Sequence, residues 1–188
     1  MIWTIPNILT LSRLPLSVAL FACIAYEQWL GGLIVFGLAA LTDWLDGLLA
    51  RRWNQLSALG RSLDPLIDKV LTGGAFIYLM PVEGAYLLPW MVTVVIGREL
   101  LITGIRGIME TQGVKFGADS LGKIKMILQC AVLVATLAVL WLKGFELSMG
   151  ARTALEYIQF VLLYAMLLAT IVSGLQYMVK AIRNLKPI

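Results

Sequence analysis

Residues 42–70 read TDWLDGLLARRWNQLSALGRSLDPLIDKV, and four of the chain's eleven acidic residues, Asp43, Asp46, Asp64 and Asp68, fall within these 29 positions. Strongly apolar segments lie on both sides. At about 100° per residue, Asp43, Asp46, Gly47 and Ala50 share one arc of a helix about 100° wide. Asp64 and Asp68 are four apart in sequence, which stacks them one turn above the other. Two carboxylate pairs on facing helices make an oxygen-rich pocket. Such a pocket suits Mg²⁺ or Mn²⁺ and suits zinc poorly.

The surrounding composition decides the solvent. The chain has 188 residues, 60% of them hydrophobic and 14% charged, with a mean hydropathy of +0.88. Several windows of roughly 20 apolar residues are long enough to span a bilayer. The expectation is one all-α integral membrane domain over 1–188, without internal repeats and without a cleavable signal. There is no histidine, which excludes His-based acid–base catalysis, phosphohistidine intermediates and His-ligated metals. Cys23 and Cys130 each sit in an apolar window and read as packing residues, with no disulfide or metal-ligand spacing.

Six helices are expected. Pro6-Asn7 starts the first, with Asn7 as its N-cap and Pro15 as a kink or break near the interface, the span itself running over 15–29. Gly31-Gly32 is read as the turn into a second helix from about Leu33 past Ala50, and Trp53 to Ser62 as a short polar connection. Asp64-Pro65 opens the third helix, to about Met80, unless that helix begins earlier; such a short span implies a thin bundle at the acids. A turn over Pro81 to Ala85 leads to a fourth helix from Tyr86 to Glu110. A polar loop over Thr111 to Ser120 precedes a fifth helix, Leu121 to Trp141, and the sixth covers Leu155 to Lys180. With that division, 13 of the 15 Lys and Arg residues fall on one side and only Lys143 and Arg152 on the other. The positive-inside rule then makes this a six-transmembrane-helix bundle with both termini cytoplasmic. The net charge of +4 suits an anionic lipid surface and needs no nucleic acid. Trp29, Trp53, Trp90 and Trp141 read as interface anchors.

Intramembrane carboxylates cost roughly 2.5–3.5 kcal/mol each near a helix centre, so four of them require ions, basic partners or water. Plain structural readings exist. Asp43 and Asp46 could pair with Arg51 or Arg52, Asp64 could cap a helix, and Asp68 could pair with Lys69 or Arg61. Against these, Gly47 and Ala50 open space beside the acids, and neighbouring residues on a helix point apart. The apolar neighbours Leu66, Ile67, Val70 and Leu71 are expected to limit solvation of Asp68 and suit it to take up a proton.

The full spacing, D-x2-D-G-x2-A-R-x8-G-x3-D-x3-D, is supplied by Asp43, Asp46, Gly47, Ala50, Arg51, Gly60, Asp64 and Asp68. It resembles the signature of the CDP-alcohol phosphotransferase family of integral membrane enzymes, with every fixed position present. The resemblance implies that Asp43, Asp46, Asp64 and Asp68 hold a divalent metal against the diphosphate of a CDP-linked lipid. It further implies that Asp68 deprotonates an acceptor alcohol, which attacks the phosphorus attached to diacylglycerol and releases CMP. Gly47, Ala50 and Gly60 resemble the small residues that let the nucleotide approach, beside Arg51. Asn7, Thr10 and Arg13 resemble the amino-terminal element next to the nucleotide, although Arg13 reads equally well as a snorkelling surface residue. A homodimer in the bacterial inner membrane, its active site facing the cytoplasm, is also implied.

The acceptor is read from the basic residues. Arg98 and Arg106 are about 80° apart in projection and can face one cavity, with a pair between Arg98 and Glu99 as the plain alternative. Lys123 and Lys125 are about 200° apart, so only one of them should point inward. Arg98, Arg106 and Lys123 or Lys125 would attract an anionic acceptor such as a glycerol or sugar phosphate. GREL at 97–100 and GKIK at 122–125 resemble family members that use glycerol 3-phosphate. The runner-up is a family transferase for inositol phosphate or another polar alcohol. A divalent-cation transporter is the reading from another class, disfavoured because the acids cluster at one membrane face.

Overall fold

The computed structural model describes residues 5–52, 58–111 and 120–184, with side chains described over 8–45, 65–109 and 121–183. Among these residues the chain is all-helical: α1 (Ile5–Ala25), α2 (Trp29–Arg52), α3 (Ala58–Leu79), α4 (Pro89–Thr111), α5 (Ser120–Leu142) and α6 (Met149–Asn184). Three of them are long and apolar enough to cross a membrane, over Ile8–Ala25, Leu121–Leu142 and Met149–Arg183. In α2 the apolar part is the shorter Trp29–Leu45, which holds Asp43 near its end, with Asp46 just beyond it.

Three boundaries differ from expectation, each for a packing reason. Pro15 does not break α1, which runs unbroken through it. The proline removes only one backbone donor, and packing of α1 against both α2 and α3 keeps the segment helical. Asn7 therefore lies inside α1 and is not its cap. Gly31 and Gly32 are not a turn; they lie inside α2. The turn is at 26–28, where Glu27 takes a positive φ of 56° and the Gln28 amide donates to the Cys23 carbonyl at 2.7 Å. The two glycines serve close approach instead: a Cβ at Gly32 would sit 3.4 Å from a Leu137 methyl carbon, and one at Gly31 3.2 Å from the Cys23 sulfur. Finally, α3 begins at Ala58, the earlier of the two starts the sequence allowed, so Asp64 and Pro65 lie in its interior and Asp64 is not a cap. Its 22 residues span about 33 Å, which removes the expected thinness at the acids.

The later elements follow the expected order. Gly84, at φ 86°, makes the turn before α4, where a Cβ would collide with the Lys143 side chain. The loop residues 112–119 and the connection 53–57, including Trp53, lie outside the described residues. The 36 residues of α6 extend about 54 Å, further than the ~30 Å of a hydrocarbon core.

One core runs between the helices. On α3, Ile67, Leu71, Ala75 and Leu79 recur every fourth residue and are all buried, forming the stripe that faces the other helices. Leu20 and Ile24 of α1, Phe36 of α2, Met91 and Val95 of α4, Leu133 and Leu137 of α5, and Leu163 and Met166 of α6 complete it. Gly74 leaves room for the Phe21 ring, which also stacks on Tyr78 at 5.1 Å. A smaller cluster of Ile102, Met109, Tyr177 and Ala181 joins α4 to α6. Trp29, Trp90 and Trp141 begin α2, begin α4 and lie at the end of α5, the ends remote from Asp43 and Lys125.

Candidate active site

The acidic motif is organised from behind by an arginine on a third helix. Arg13 of α1 is fully buried, and its Nη1 donates to Asp43 Oδ1 of α2 at 2.6 Å and to Asp68 Oδ1 of α3. One nitrogen touching both carboxylates brings residues 25 positions apart into a single site. The side chains of Asp43 and Asp68 remain 39% and 38% exposed, so the acids open outward while the guanidinium closes the inner side. Arg13 is thus buried against the acids and is not a snorkelling surface residue. Thr10, also buried, lies one turn before it on α1.

Asp68 is less enclosed than expected. Ile67 and Leu71 turn into the core, but Leu66 and Val70 are half exposed, and Asp68 has Arg13 as a charged partner. The plain pairing of Asp68 with Lys69 does not occur: the Lys69 ammonium donates to Thr103 Oγ1 on α4. Asp46 follows Asp43 by three residues in α2, and Asp64 precedes Asp68 by four in α3. Their side chains, like those of Asn7, Gly47, Ala50, Arg51, Arg52 and Gly60, lie outside the described residues. Among the described residues no three acidic or cysteine side chains gather as a metal site. The two described carboxylates nevertheless fit one. They are hard oxygen donors, convergent enough to share a single nitrogen, and open on their outer side.

A second charged cluster is built on α4, α5 and α6. Arg98 Nη1 donates to Glu99 Oε1 at 3.0 Å, and its Nη2 donates to Ser173 Oγ at 3.1 Å. Lys125 Nζ donates to the same Glu99 oxygen. Arg106 Nη2 donates to the Tyr177 hydroxyl at 3.3 Å, and the Arg98 and Arg106 guanidinium carbons lie 5.7 and 5.9 Å from the Tyr177 ring centroid. Thr103 Oγ1, which receives Lys69, donates to the Glu99 carbonyl at 2.7 Å. Gly174 on α6 leaves room for Arg98, since a Cβ there would stand 3.1 Å from Arg98 Cγ. The Nε atoms of Arg98 and Arg106 are buried donors without a hydrogen-bond partner among the described residues. These two donors keep hydrogen-bonding capacity that the described residues do not use.

Of the four basic residues picked from the sequence, Arg98, Arg106 and Lys125 come together. Lys123 does not: it is exposed while Lys125 is buried. Sequence reasoning did not select Lys69, Ser173 or Tyr177, and it treated Glu99 only as a partner for Arg98. The adjacency of Lys69 to Asp68 was the available signal. Consecutive helical residues point about 100° apart, so α3 presents an acid to α1 and α2 and a base to α4. The two clusters therefore meet on one helix.

The CDP-alcohol phosphatidyltransferase profile matches residues 3–179. The chain belongs to this family. Its relatives in the CDP-alcohol phosphatidyltransferase family include a CDP-diacylglycerol–glycerol-3-phosphate 3-phosphatidyltransferase of Bacillus subtilis, 33% identical over 98% of both chains. The Escherichia coli K12 protein of the same name is 31% identical over 94% of this chain and 93% of its own. A chloroplastic/mitochondrial protein of that name from Arabidopsis thaliana is 37% identical over 72% of this chain and 51% of its own.

Proposed function

We propose that this protein transfers the phosphatidyl group of CDP-diacylglycerol to glycerol 3-phosphate, giving phosphatidylglycerol phosphate and CMP. The observation that carries the reading is the meeting of an acidic site and a cationic cluster on α3, through Asp68 and Lys69. Near full-length similarity to relatives that bear this activity as their name supports the choice of acceptor.

On this reading Asp43, Asp46, Asp64 and Asp68 would hold Mg²⁺ or Mn²⁺. When bound, the cation would neutralise the diphosphate and the departing CMP. Arg13 holds Asp43 and Asp68 at a common point and adds fixed positive charge there. Asn7, Thr10, Arg51 and the small residues Gly47, Ala50 and Gly60 are assigned to binding of the CDP-lipid. Arg98, Arg106 and Lys125 bind the phosphate of the acceptor, which orients its free hydroxyl towards Asp68. Asp68 accepts the hydroxyl proton as that oxygen attacks the phosphorus attached to diacylglycerol. The bond from this phosphorus to the oxygen of CMP breaks. Little else is asked of the protein beyond positioning and charge.

The subunit is a six-span bundle with cytoplasmic termini, acting as a homodimer in the bacterial inner membrane with its site facing the cytoplasm. The distribution of basic residues and the bacterial relatives support that placement.

The test is CMP release by purified protein in detergent, given CDP-diacylglycerol, Mg²⁺ and a panel of alcohols. Release with glycerol 3-phosphate alone is expected. Release only with inositol phosphate would replace the acceptor, and divalent-ion flux without CMP release would replace the enzyme with a transporter.

A further inference from the structure

Glu99 sits among groups that the proposed reaction uses only for their positive charge. Its side chain is 16% exposed, and one oxygen, Oε1, receives both Arg98 and Lys125. Lys69 and Arg98 lie within electrostatic reach of it, and Arg106 within reach of Lys69. Three basic side chains, Arg98, Lys125 and Lys69, thus surround this carboxylate, and the Nε donors of Arg98 and Arg106 have no hydrogen-bond partner among the described residues. A carboxylate offers one negative charge and two oxygens. A phosphate monoester offers about −1.5 to −2 charge and three strong acceptor oxygens. The cluster is therefore under-filled by Glu99 and better matched by a phosphate.

Resting on the acceptor site proposed above, we infer that Glu99 is a built-in competitor for the acceptor's phosphate. Its carboxylate holds Arg98 and Lys125 while the site is empty and yields them when a phosphate monoester arrives. Exchange of one anion for another keeps Arg98 and Lys125 paired with a negative group in either state. A neutral or zwitterionic alcohol brings no net negative charge to the exchange, so Glu99 keeps the cations and the alcohol gains no hold. The carboxylate thereby sets both the affinity of the site and its demand for a phosphate.

The experiment is calorimetric binding of inorganic phosphate to the purified full-length protein in detergent, without CDP-lipid. Wild type, Glu99→Gln, Glu99→Asp and Arg98→Gln are compared, with the thermal midpoint of each recorded with and without phosphate. Glu99→Gln should bind phosphate about tenfold more tightly, and Glu99→Asp, whose carboxylate is drawn back by one methylene, about threefold. Phosphate should raise the midpoint of Glu99→Gln more than that of wild type. Unchanged or weaker phosphate binding by both Glu99 variants overturns the inference. Should Glu99→Gln not fold, Glu99→Asp decides alone. Arg98→Gln separates the two levels: at least tenfold weaker binding keeps the acceptor site whatever Glu99 does. Unchanged binding by Arg98→Gln removes the site itself.

Discussion

The two charged clusters are inversions of one another. Between α1, α2 and α3, one buried arginine serves two carboxylates; between α4, α5 and α6, one largely buried carboxylate serves an arginine and a lysine. In the first, the minority charge lies inside, with Arg13 buried beneath two acids that are more than a third exposed; in the second, Glu99, Arg98 and Lys125 are all largely buried. A low-dielectric interior penalises like charges left together, and a single opposite charge makes either arrangement tolerable without a ligand. The difference lies in where the majority charges come from. The acids are supplied by one continuous stretch, whereas the bases are spread over 57 positions from Lys69 to Lys125 and are seated by residues as distant as Tyr177.

This contrast can be broken most sharply at Asp68. Asp68→Asn should lower CMP release by about a thousandfold while the thermal midpoint stays close to wild type, as expected for loss of a proton acceptor. Near-normal turnover would remove Asp68 as the base. Next comes Arg13, the minority charge of the acidic cluster. Arg13→Gln should reduce CMP release by roughly 10–100-fold, as for residues that orient metal ligands, and Arg13→Lys should recover part of it. Equal activity of Arg13→Gln and wild type would reduce the arginine to packing.

In the basic cluster the expected effect is on acceptor binding. Arg98→Gln should raise the KM for glycerol 3-phosphate by about 10–100-fold, the loss of one or two charge-assisted bonds, with the KM for CDP-diacylglycerol changing far less. A parallel rise in both would merge the two clusters into one binding site. Tyr177→Leu removes the ring under both guanidinium groups and should raise the acceptor KM about 3–10-fold, in line with two partly buried cation–π contacts. Lys123→Gln, at an exposed position, should change that KM by less than about twofold, since surface charges contribute little. A change as large as that of Arg98→Gln would show that Lys123 reaches the acceptor after all.

The acidic half could be read early because helical periodicity converts i, i+3 and i, i+4 spacings into shared faces. Asp43 with Asp46, and Asp64 with Asp68, needed no knowledge of tertiary contacts to be grouped. The six helices were also visible, since apolar runs and polar breaks have lengths that a bilayer imposes. Errors came where a residue has two uses. Pro15 and Pro65 punctuate helices in isolation, yet packing holds α1 and α3 through them. Gly31 and Gly32 can form a turn, yet here they allow α2 to approach Leu137 and Cys23. Arg13 was balanced between surface and site because a lone arginine in an apolar helix looks the same in either place.

By itself the sequence determined that four aspartates stand in two helical pairs in a membrane-compatible all-α chain. Backbone period and hydrophobic run length are local properties, so both are written in neighbouring residues. The tertiary structure alone decided that Arg13 lies beneath Asp43 and Asp68, that Lys125 rather than Lys123 turns inward, and that Tyr177 backs both arginines. Each of those outcomes depends on how helices rotate against one another, and rotation is set by the whole core, not by any single stretch.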